Sequence, residues 1–540
     1  MPTPTISHRE RRRLHPSTPS SEQIVPLSLL DATTANFGLT SAIWLFEPPT
    51  STSSDFDLYR HLEQSLLTAL NAYPKWCGHL KSVTTLASLS EPGTQQFPSH
   101  ACRFGRVYAH FGTQDDPGVE FITAASTATL DDLHPLDRPH RVPLWNRQDE
   151  NLRVYSPDTE IAHALKPNES DEHGQRNPVL AIQVTKLACG GFALALKIAH
   201  PLADISALTQ FLKDWGAVSR AMLRGEPAAV LDPVFSPSMV DRLAAGDINS
   251  EEPDGEILER AMNMPMNRYD WWAAPGSPPN VFQGQDLKPA GKPMPWQEWD
   301  VKAPLSSYVV HLTKEQVDYL WEEARRDQPE AMRVSKHDAI LAHIWSCIVR
   351  ARGLEADDEP VHCDLTLGLR PALQLGDRFI GSPIIMLNIE MAASRVAATR
   401  DGHPILSPTT KCIRDTILKG SDGDGLAAHL HGVAYEKSPQ RIWHGFLGQR
   451  HTMVTTWARA GIYELDFGFV SSVRYVDGDV PNLDGCVLIK EAPPTSKRPV
   501  SGVKPTWTDN GVDISIPLRV EDMERLLKDP LLLPKVTGSR

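Results

Sequence analysis

Hydrophobic residues first repeat at a helical period over about residues 55–72. Four leucines spaced four positions apart form one apolar stripe: Leu58, Leu62, Leu66 and Leu70. A stripe of this kind faces a protein core, so the pattern predicts an amphipathic helix. Ser54 or Asp55 can cap its start, and Pro74 ends it.

Two apolar runs further along the chain have the composition of β-strands. Residues 179–185 are rich in β-branched side chains, and residues 192–199 are almost wholly apolar on both faces. Gly190 and Gly191 can form the turn between them, so the pattern predicts a hairpin whose second strand lies inside a sheet. A helix should follow, with an inner face formed by Leu208, Phe211, Leu212, Trp215 and Met222.

The second half of the chain again mixes strands and helices. Thr313 with Gln316 has the spacing of a capping box, and Ser335 with Asp338 repeats that spacing before a helix over about 336–352. Further strands are predicted at 307–312, 361–369, 383–389 and 512–517, and a last helix at 521–528.

These elements favour a two-domain α/β protein, with domains at 25–235 and 306–540. Residues 1–24 are polar, basic and contain Pro and Ser, so we expect a tail that is disordered or loosely docked. Residues 236–305 form a crossover with an insertion, and six prolines between 275 and 295 exclude a regular helix there. Four tryptophans predict that this insertion packs against the body: Trp271, Trp272, Trp296 and Trp299.

The charge balance excludes one large class of function. The 540 residues carry 54 Lys and Arg against 67 Asp and Glu, a net charge of −13, whereas nucleic-acid binding needs a concentrated basic surface. Seven cysteines without a C-x-x-C pair favour reduced thiols. No apolar run reaches the ~18 residues of a membrane span, and the N-terminus lacks a secretory hydrophobic region. We therefore expect a cytoplasmic enzyme with no nucleic-acid or membrane partner.

His200, at the end of the predicted buried strand, is the strongest candidate for chemistry. Pro201 forces an extended turn after it, and Asp204 falls where the next helix begins. The ends of central strands often carry reacting groups, and an imidazole there can accept a proton from a hydroxyl or amine near pH 7. The simpler alternatives are a structural, hydrogen-bonded histidine for His200 and a helix cap for Asp204.

Several motifs, in the same order along the chain, resemble those of the BAHD acyltransferases. The family's H-x-x-x-D is matched by His200 to Asp204, its D-F-G-W-G by residues 466–470 (Asp-Phe-Gly-Phe-Val), and its T-S-W by residues 455–457 (Thr-Thr-Trp). Its early L-S-x-x-D is similar to residues 27–31, which read Leu-Ser-Leu-Leu-Asp. The resemblance runs from about residue 25 to the C-terminus.

This resemblance implies a chloramphenicol-acetyltransferase-like architecture, in which two domains, each a mixed sheet flanked by helices, enclose a channel. Acyl-CoA would enter one mouth as co-substrate and a small-molecule acceptor the other. The family then implies a monomer of secondary metabolism, with no bound cofactor and no metal. It also implies that His200 is the general base, that Thr455 or Thr456 stabilises the oxyanion, and that Trp457 lines the channel. Alternatively, both threonines serve only as strand formers.

Other motif residues are expected to be structural. Arg370 fits the family's D-G-R stretch and is the candidate partner of Asp204 or Asp466. The segment Asp466-Phe467-Gly468 is expected to lie away from the base. Two departures from the family pattern, Phe469 for Trp and Val470 for Gly, bear on the geometry of this loop more than on catalysis.

Other interpretations remain at this stage. His429 with His431, and His337 with Asp338, lack a third metal ligand at a suitable spacing, so solvated or capping residues are predicted instead. A peptide-synthetase condensation domain would share the fold. It has His before and Gly after the motif, where this chain has Ala199 and Ile205. A non-catalytic member of the fold that binds a small ligand in the same cleft is the alternative function.

Overall fold

The computed structural model describes residues 5–35, 38–50, 56–84, 89–90, 93–147, 152–166, 169–171, 174–273, 287–326, 328, 332–469, 472–494 and 506–536. Its strands are β1 (Ile6–Leu14), β2 (Gln23–Pro26), β3 (Leu39–Phe46), β4 (His79–Ser82), β5 (Val107–Phe111), β6 (Val119–Ser126), β7 (Leu144–Asn146), β8 (Leu180–Lys186), β9 (Phe192–Ala199), β10 (Tyr269–Asp270), β11 (Lys292–Pro293), β12 (Leu305–Leu312), β13 (Pro360–Gly368), β14 (Ile384–Ala392), β15 (Thr399–Arg400), β16 (His403–Pro404), β17 (Ile442–Trp443), β18 (His451–Thr456), β19 (Val473–Gly478), β20 (Cys486–Glu491) and β21 (Val512–Arg519). Its helices are α1 (Leu29–Thr33), α2 (Leu58–Ala69), α3 (Leu130–Leu133), α4 (Arg138–Arg141), α5 (Ile205–Arg224), α6 (Ser238–Asp241), α7 (Gly255–Met262), α8 (Lys314–Arg325), α9 (Lys336–Ala351), α10 (Ala393–Val396), α11 (Ser407–Gly420), α12 (Gly423–Tyr435) and α13 (Val520–Lys528).

A six-stranded mixed sheet forms the centre of the N-terminal half, in the order β1-β6-β8-β9-β3-β19. The predicted hairpin is β8 paired with β9, with Leu180 opposite Ile198. Every residue of β9 except Lys197 is buried, which explains why this strand is apolar on both faces. Helices α2 and α5 pack against each other beside this sheet.

The prediction of a loosely docked tail is wrong for residues 6–14, which form the edge strand β1 antiparallel to β6. The run of arginines suggested a solvated tail, but an edge strand can also carry charged side chains on an exposed face. Arg11 lies 2.5 Å from a carboxylate oxygen of Asp158, and Arg12 lies 3.0 Å from one of Glu63.

The second large sheet has seven strands in the order β14-β13-β18-β20-β21-β12-β7. One face carries an apolar core that includes residues of α8, α9 and α13. Side chains alternate between the two faces of a strand, so the neighbours of these core residues point to the opposite face. Leu488 on that opposite face belongs to the core of the N-terminal half, which places the face between the two halves.

Each half of the chain contributes a strand to the other half's sheet. β19 pairs with β3 in the six-stranded sheet, and β7 pairs with β12 in the seven-stranded one. The predicted limits 25–235 and 306–540 therefore follow chain order, and neither segment by itself contains a complete large sheet.

Most of the locally predicted elements are confirmed. Both capping boxes, at Thr313 and Ser335, are present and begin α8 and α9. The leucine stripe lies on α2 and the short 3-10 turn after it, and Asp57 caps this helix. Ser54 and Asp55 lie outside the described residues.

The tryptophans of the insertion pack as predicted, wherever their side chains are described. Trp271, Trp296 and Trp299 form a small apolar cluster with Phe446 and Trp443. The side chain of Trp272 and residues 274–286 lie outside the described part of the chain. Among the helices that the structure describes, none is long and apolar enough to cross a membrane.

Candidate active site

His200 begins a short 3-10 turn that directly follows β9. Pro201 occupies the first turn of this segment, where its missing N–H is not needed. The buried strand brings the imidazole to the junction of the two halves, and the side chain stays half-buried there. The structure thus places His200 at the end of a central strand, as the sequence predicts.

One of the two ring nitrogens of His200 has a hydrogen-bond partner. Nδ1 lies 2.9 Å from the hydroxyl oxygen of Ser382. Nε2 has no hydrogen-bond partner among the described residues. When Nδ1 donates to the Ser382 hydroxyl, Nε2 carries the lone pair of the neutral ring.

Burial lowers the pKa of His200, while the nearby Asp204 carboxylate opposes this shift. Desolvation disfavours the charged imidazolium. The ring is therefore neutral at neutral pH, which is the form that can accept a proton.

Ser382, which the sequence analysis did not identify, is held by Asp31. The Ser382 backbone N–H donates to Asp31 Oδ1 at 2.6 Å, and Ser28 forms a capping box with the same carboxylate. Burial raises the pKa of Asp31 to about 7. The family-like sequence 27–31 was the available signal, and the structure shows that it supports the partner of His200.

Asp204 combines two structural tasks. Its Oδ1 accepts the Ala207 N–H at 2.9 Å and caps α5, and its two oxygens accept from Arg370 at 2.5 and 2.9 Å. Arg370 also donates to the carbonyl oxygens of Phe379 and Gly381. The predicted ion pair is thus confirmed with Asp204 and not with Asp466, and it fixes the loop that carries Ser382.

Thr455 and Thr456 point to opposite faces of β18, because successive side chains of a strand alternate. Val454 belongs to the core under the helices, so Thr456 shares that side and Thr455 faces the junction of the halves. The Thr456 hydroxyl accepts the Ala458 N–H at 3.3 Å, whereas the Thr455 hydroxyl has no hydrogen-bond partner among the described residues. Trp457 is buried and lies against Gly478 of β19.

The Asp466-Phe467-Gly468 segment docks on α5. Phe467 packs edge-on against Trp215, with ring centroids 5.2 Å apart, and Asp466 accepts the Gly468 N–H at 2.7 Å. Trp215 lies ten residues into α5, so the contact is roughly 15 Å along the helix from His200's end. This position agrees with a structural role, and Val470 lies outside the described residues.

A cavity that is partly open to solvent lies at the junction of the halves, beside β13 and β14. Its lining residues are Leu30, Thr33, Thr34, Met266, Thr366, Ile384, Ile385, Met386, His429, Ile442 and His444. The expectation that His429 and His431 are solvated is wrong, because both are buried. Asp338 belongs to the capping box of α9, as expected. The residues that the structure describes contain no cluster of three or more potential metal ligands.

Comparisons with known proteins agree with this architecture. A model described as Transferase family matches residues 113–532. Acyltransferase AFT15-1 of Alternaria alternata is 25% identical over 514 residues, which cover 92% of this chain and 91% of that protein. The fold is shared with the crystal structure of vinorine synthase, at a TM-score of 0.59 and 17% identity, covering 97% of this chain and 98% of that one. It is also shared with TRI101 of F. graminearum complexed with coenzyme A and deoxynivalenol, at a TM-score of 0.61 and 15% identity, covering 94% and 98%.

The two mixed sheets and their flanking helices form a chloramphenicol-acetyltransferase-like fold, as the sequence predicts. Because the family model covers more than three quarters of the chain, the protein belongs to the transferase family of BAHD acyltransferases.

Proposed function

We propose that the protein transfers an acyl group from acyl-CoA to a hydroxyl of a small-molecule acceptor in secondary metabolism. His200 is the general base. Membership of the family supports acyl transfer, and the TRI101 structure, which contains coenzyme A and deoxynivalenol, supports this pair of substrate classes. Acyl-CoA acts as a co-substrate and not as a resident cofactor, and the enzyme works as a monomer in the cytoplasm.

In the proposed reaction, His200 takes a proton from the acceptor hydroxyl and later gives it to the leaving thiolate. The acceptor hydroxyl gives its proton to Nε2 while its oxygen bonds to the thioester carbonyl carbon. The tetrahedral oxyanion accepts a hydrogen bond from Thr455, which faces the junction of the halves. Collapse of this intermediate re-forms the carbonyl and breaks the carbon–sulfur bond. The leaving thiolate then takes the proton from the His200 imidazolium.

One observation carries this proposal. Nδ1 of His200 is paired with the Ser382 hydroxyl, while Nε2 is unbonded among the described residues, and burial lowers the pKa of the ring so that it is neutral. Nε2 is therefore open to receive the proton of an acceptor hydroxyl.

The test is the release of free CoA by purified protein in the presence of an acceptor. Acetyl-, malonyl- and longer acyl-CoAs are offered with candidate alcohols, and the thiol is measured. We expect His200→Ala to lower kcat by about 10²–10⁴-fold, the usual contribution of a general base, with a nearly unchanged melting curve.

His8→Ala is the matched control, since His8 is exposed on β1; it should keep wild-type turnover. Turnover retained by His200→Ala would remove His200 as the base. A wild-type protein that binds ligands without releasing CoA would instead identify a non-catalytic binding member of the fold.

A further inference from the structure

The start of α1 is connected with His200 through Ser382. The Asp31 carboxylate accepts the Ser382 N–H on Oδ1. On Oδ2 it accepts both the N–H and the hydroxyl of Ser28, at 3.0 and 2.7 Å. Ser28 caps α1 and Asp31 lies in its first turn. A change at this end of α1 therefore reaches the hydroxyl that pairs with Nδ1 of His200.

A second carboxylate lies at the same end of α1. Asp241, the last residue of α6, accepts the N–H of Leu29 on Oδ1 at 2.8 Å, and Leu29 is the first residue of α1. Asp31 and Asp241 are both more than nine-tenths buried. Burial raises the pKa of Asp31 to about 7, and the negative charge of Asp241 adds to this rise.

His100 provides a counter-charge to Asp241. Its Nε2 lies 3.2 Å from Asp241 Oδ2, and its Nδ1 lies 2.9 Å from Asn249 Oδ1. The His100 backbone N–H also donates to Asn249 Oδ1, at 3.3 Å, which identifies that atom as the amide oxygen. A carboxylate and an amide oxygen can only accept, so both ring nitrogens of His100 donate and the buried ring is an imidazolium.

The other charged groups near His100 are bound elsewhere. Arg106 donates through Nε to the His100 carbonyl oxygen at 3.2 Å, and through Nη2 to carbonyl oxygens in the last turn of α12. Arg103 donates to the end of the same helix, and the Glu436 carboxylate that follows it is paired with an arginine of its own. Among the described residues, Asp241 forms its ion pair with His100 alone.

We propose that His100 is a positioning residue for acyl transfer. Its imidazolium compensates the charge of Asp241, so that the nearby Asp31 stays ionised. The ionised carboxylate in turn holds Ser382 beside His200. This inference rests on the proposed function, because it assigns a support to the proposed base.

The ionised form of Asp31 holds the Ser382 backbone more firmly than the protonated form. Hydrogen bonds to a charged acceptor are about twice as strong as those between neutral groups. A protonated carboxyl would also need an acceptor for its own hydrogen in a buried site. Protonation of Asp31 should therefore loosen the loop that carries the Ser382 hydroxyl, and the His200 ring with it.

A purely structural role is the alternative for His100. His100 and Asp241 are 141 positions apart in the chain, so their contact also joins two distant segments. A tie of this kind depends on hydrogen bonds, and its loss would lower stability at every pH. It would not move the ionisation of Asp31, and this difference separates the two roles.

The test follows the ionisation of Asp31 directly, by carbon-13 NMR of full-length protein whose aspartates are labelled at the side-chain carboxyl carbon. The signal of Asp31 is the one that Asp31→Asn removes. We expect His100→Gln to raise the proton affinity of Asp31 by about three- to tenfold, because the charge of Asp241 is no longer compensated. The Leu29 N–H and the Arg106 guanidinium remain beside Asp241 in this variant and favour its charged form.

Two further variants should separate charge from hydrogen bonding. Asp241→Asn should lower the proton affinity of Asp31, because it removes the repelling charge, and it decides the matter where His100→Gln fails to fold. His100→Lys keeps a positive charge beside Asp241, so its Asp31 should titrate close to the wild-type midpoint.

Acyl transfer should respond in the same direction. The step of kcat/KM that belongs to Asp31 should move to higher pH in His100→Gln. Transfer then falls by about two- to fivefold near pH 7, in proportion to the smaller ionised fraction of Asp31. It returns to the wild-type value at about pH 9, where Asp31 is ionised in both proteins.

His343→Gln is the matched control. His343 is also buried and hydrogen-bonded, to the carbonyl oxygen of Leu532, but it lies on α9. Its replacement should leave the ionisation of Asp31 and the pH profile of transfer as in the wild type, whatever it does to stability.

An unchanged proton affinity of Asp31 in both His100→Gln and Asp241→Asn overturns the inference, as does a loss of transfer in His100→Gln that persists at alkaline pH. The NMR titration needs no turnover. A wild type that releases no CoA while Asp31 still responds to His100 would contradict the proposed function and leave this charge relation standing. An active wild type whose Asp31 does not respond would do the reverse.

Discussion

At the scale of single residues, His200 depends on two groups that do no chemistry themselves. The Ser382 hydroxyl lies 2.9 Å from Nδ1, and Asp31 fixes the Ser382 backbone. When Nδ1 donates to Ser382, the lone pair of the neutral imidazole is on Nε2, since a neutral imidazole carries one proton.

The pH dependence of acyl transfer should show this neutral base. Activity requires the unprotonated ring, and burial lowers the pKa of His200 below the ordinary imidazole value of 6.5. We expect kcat/KM to rise with pH and to level off, with its midpoint below 6.5. The pKa of Asp31 is about 7, so its ionisation can add a second step to the pH profile of kcat/KM. Asp31→Asn should remove this second step and leave the step that belongs to His200. A single midpoint well above 6.5 in both proteins would contradict the assignment.

The two threonines of β18 should differ sharply when each is replaced. Thr455 faces the junction of the halves, while the Thr456 hydroxyl is used locally by Ala458. We expect Thr455→Ala to lower kcat by about 10²–10³-fold, as for loss of an oxyanion donor, and Thr455→Ser to restore most of it. Thr456→Ala is the matched comparison and should stay close to wild type in steady-state kinetics. Equal losses in both variants would argue for a strand-forming role.

At the scale of elements, one ion pair connects the start of α5 with the loop after β13. Both partners are more than nine-tenths buried, and Arg370 binds two further carbonyls of the loop that ends at Ser382. We therefore expect the pair to influence acyl transfer only through the position of Ser382.

Arg370→Met should lower the free energy of unfolding by about 3–5 kcal/mol, because it leaves the Asp204 carboxylate buried without its counter-charge. Denaturant unfolding measures this loss. The double variant Asp204→Asn/Arg370→Met should lose much less than the sum of the two single variants, since it leaves no lone charge. Full stability of Arg370→Met together with lost turnover would instead indicate a direct chemical role.

Local sequence patterns predicted the local elements well, but they did not predict contacts between residues that lie far apart in the chain. The leucine stripe of α2, the β8–β9 hairpin and both capping boxes depend on neighbours within a few residues. The place of His200 followed from its strand and turn. Its partner Ser382 lies 182 positions away, and no local period marks it. The same holds for the cavity, whose wall collects residues from 30 to 444.

At the scale of the whole molecule, β19 and β7 join the two halves, because each strand pairs within the sheet of the other half. The arginines of β1 gave this segment the composition of a tail, although it is an edge strand. Strand β19 belongs to the C-terminal half of the chain, but its six residues are all buried in the N-terminal sheet. Its Arg474 lies 2.8 Å from Asp131 on the other half of the chain. Pairings of this kind depend on three-dimensional proximity, which composition cannot reveal.

The pairing of β3 with β19 also delays completion of the N-terminal sheet during biosynthesis. The apolar strand Leu39–Phe46 leaves the ribosome early, but its second edge is covered only after Gly478 has been made. At 5–20 residues per second this takes roughly 20–90 s, during which the nascent chain presents an open, aggregation-prone edge. Chaperones that shield this edge during elongation would therefore govern how much of the polypeptide reaches its native state.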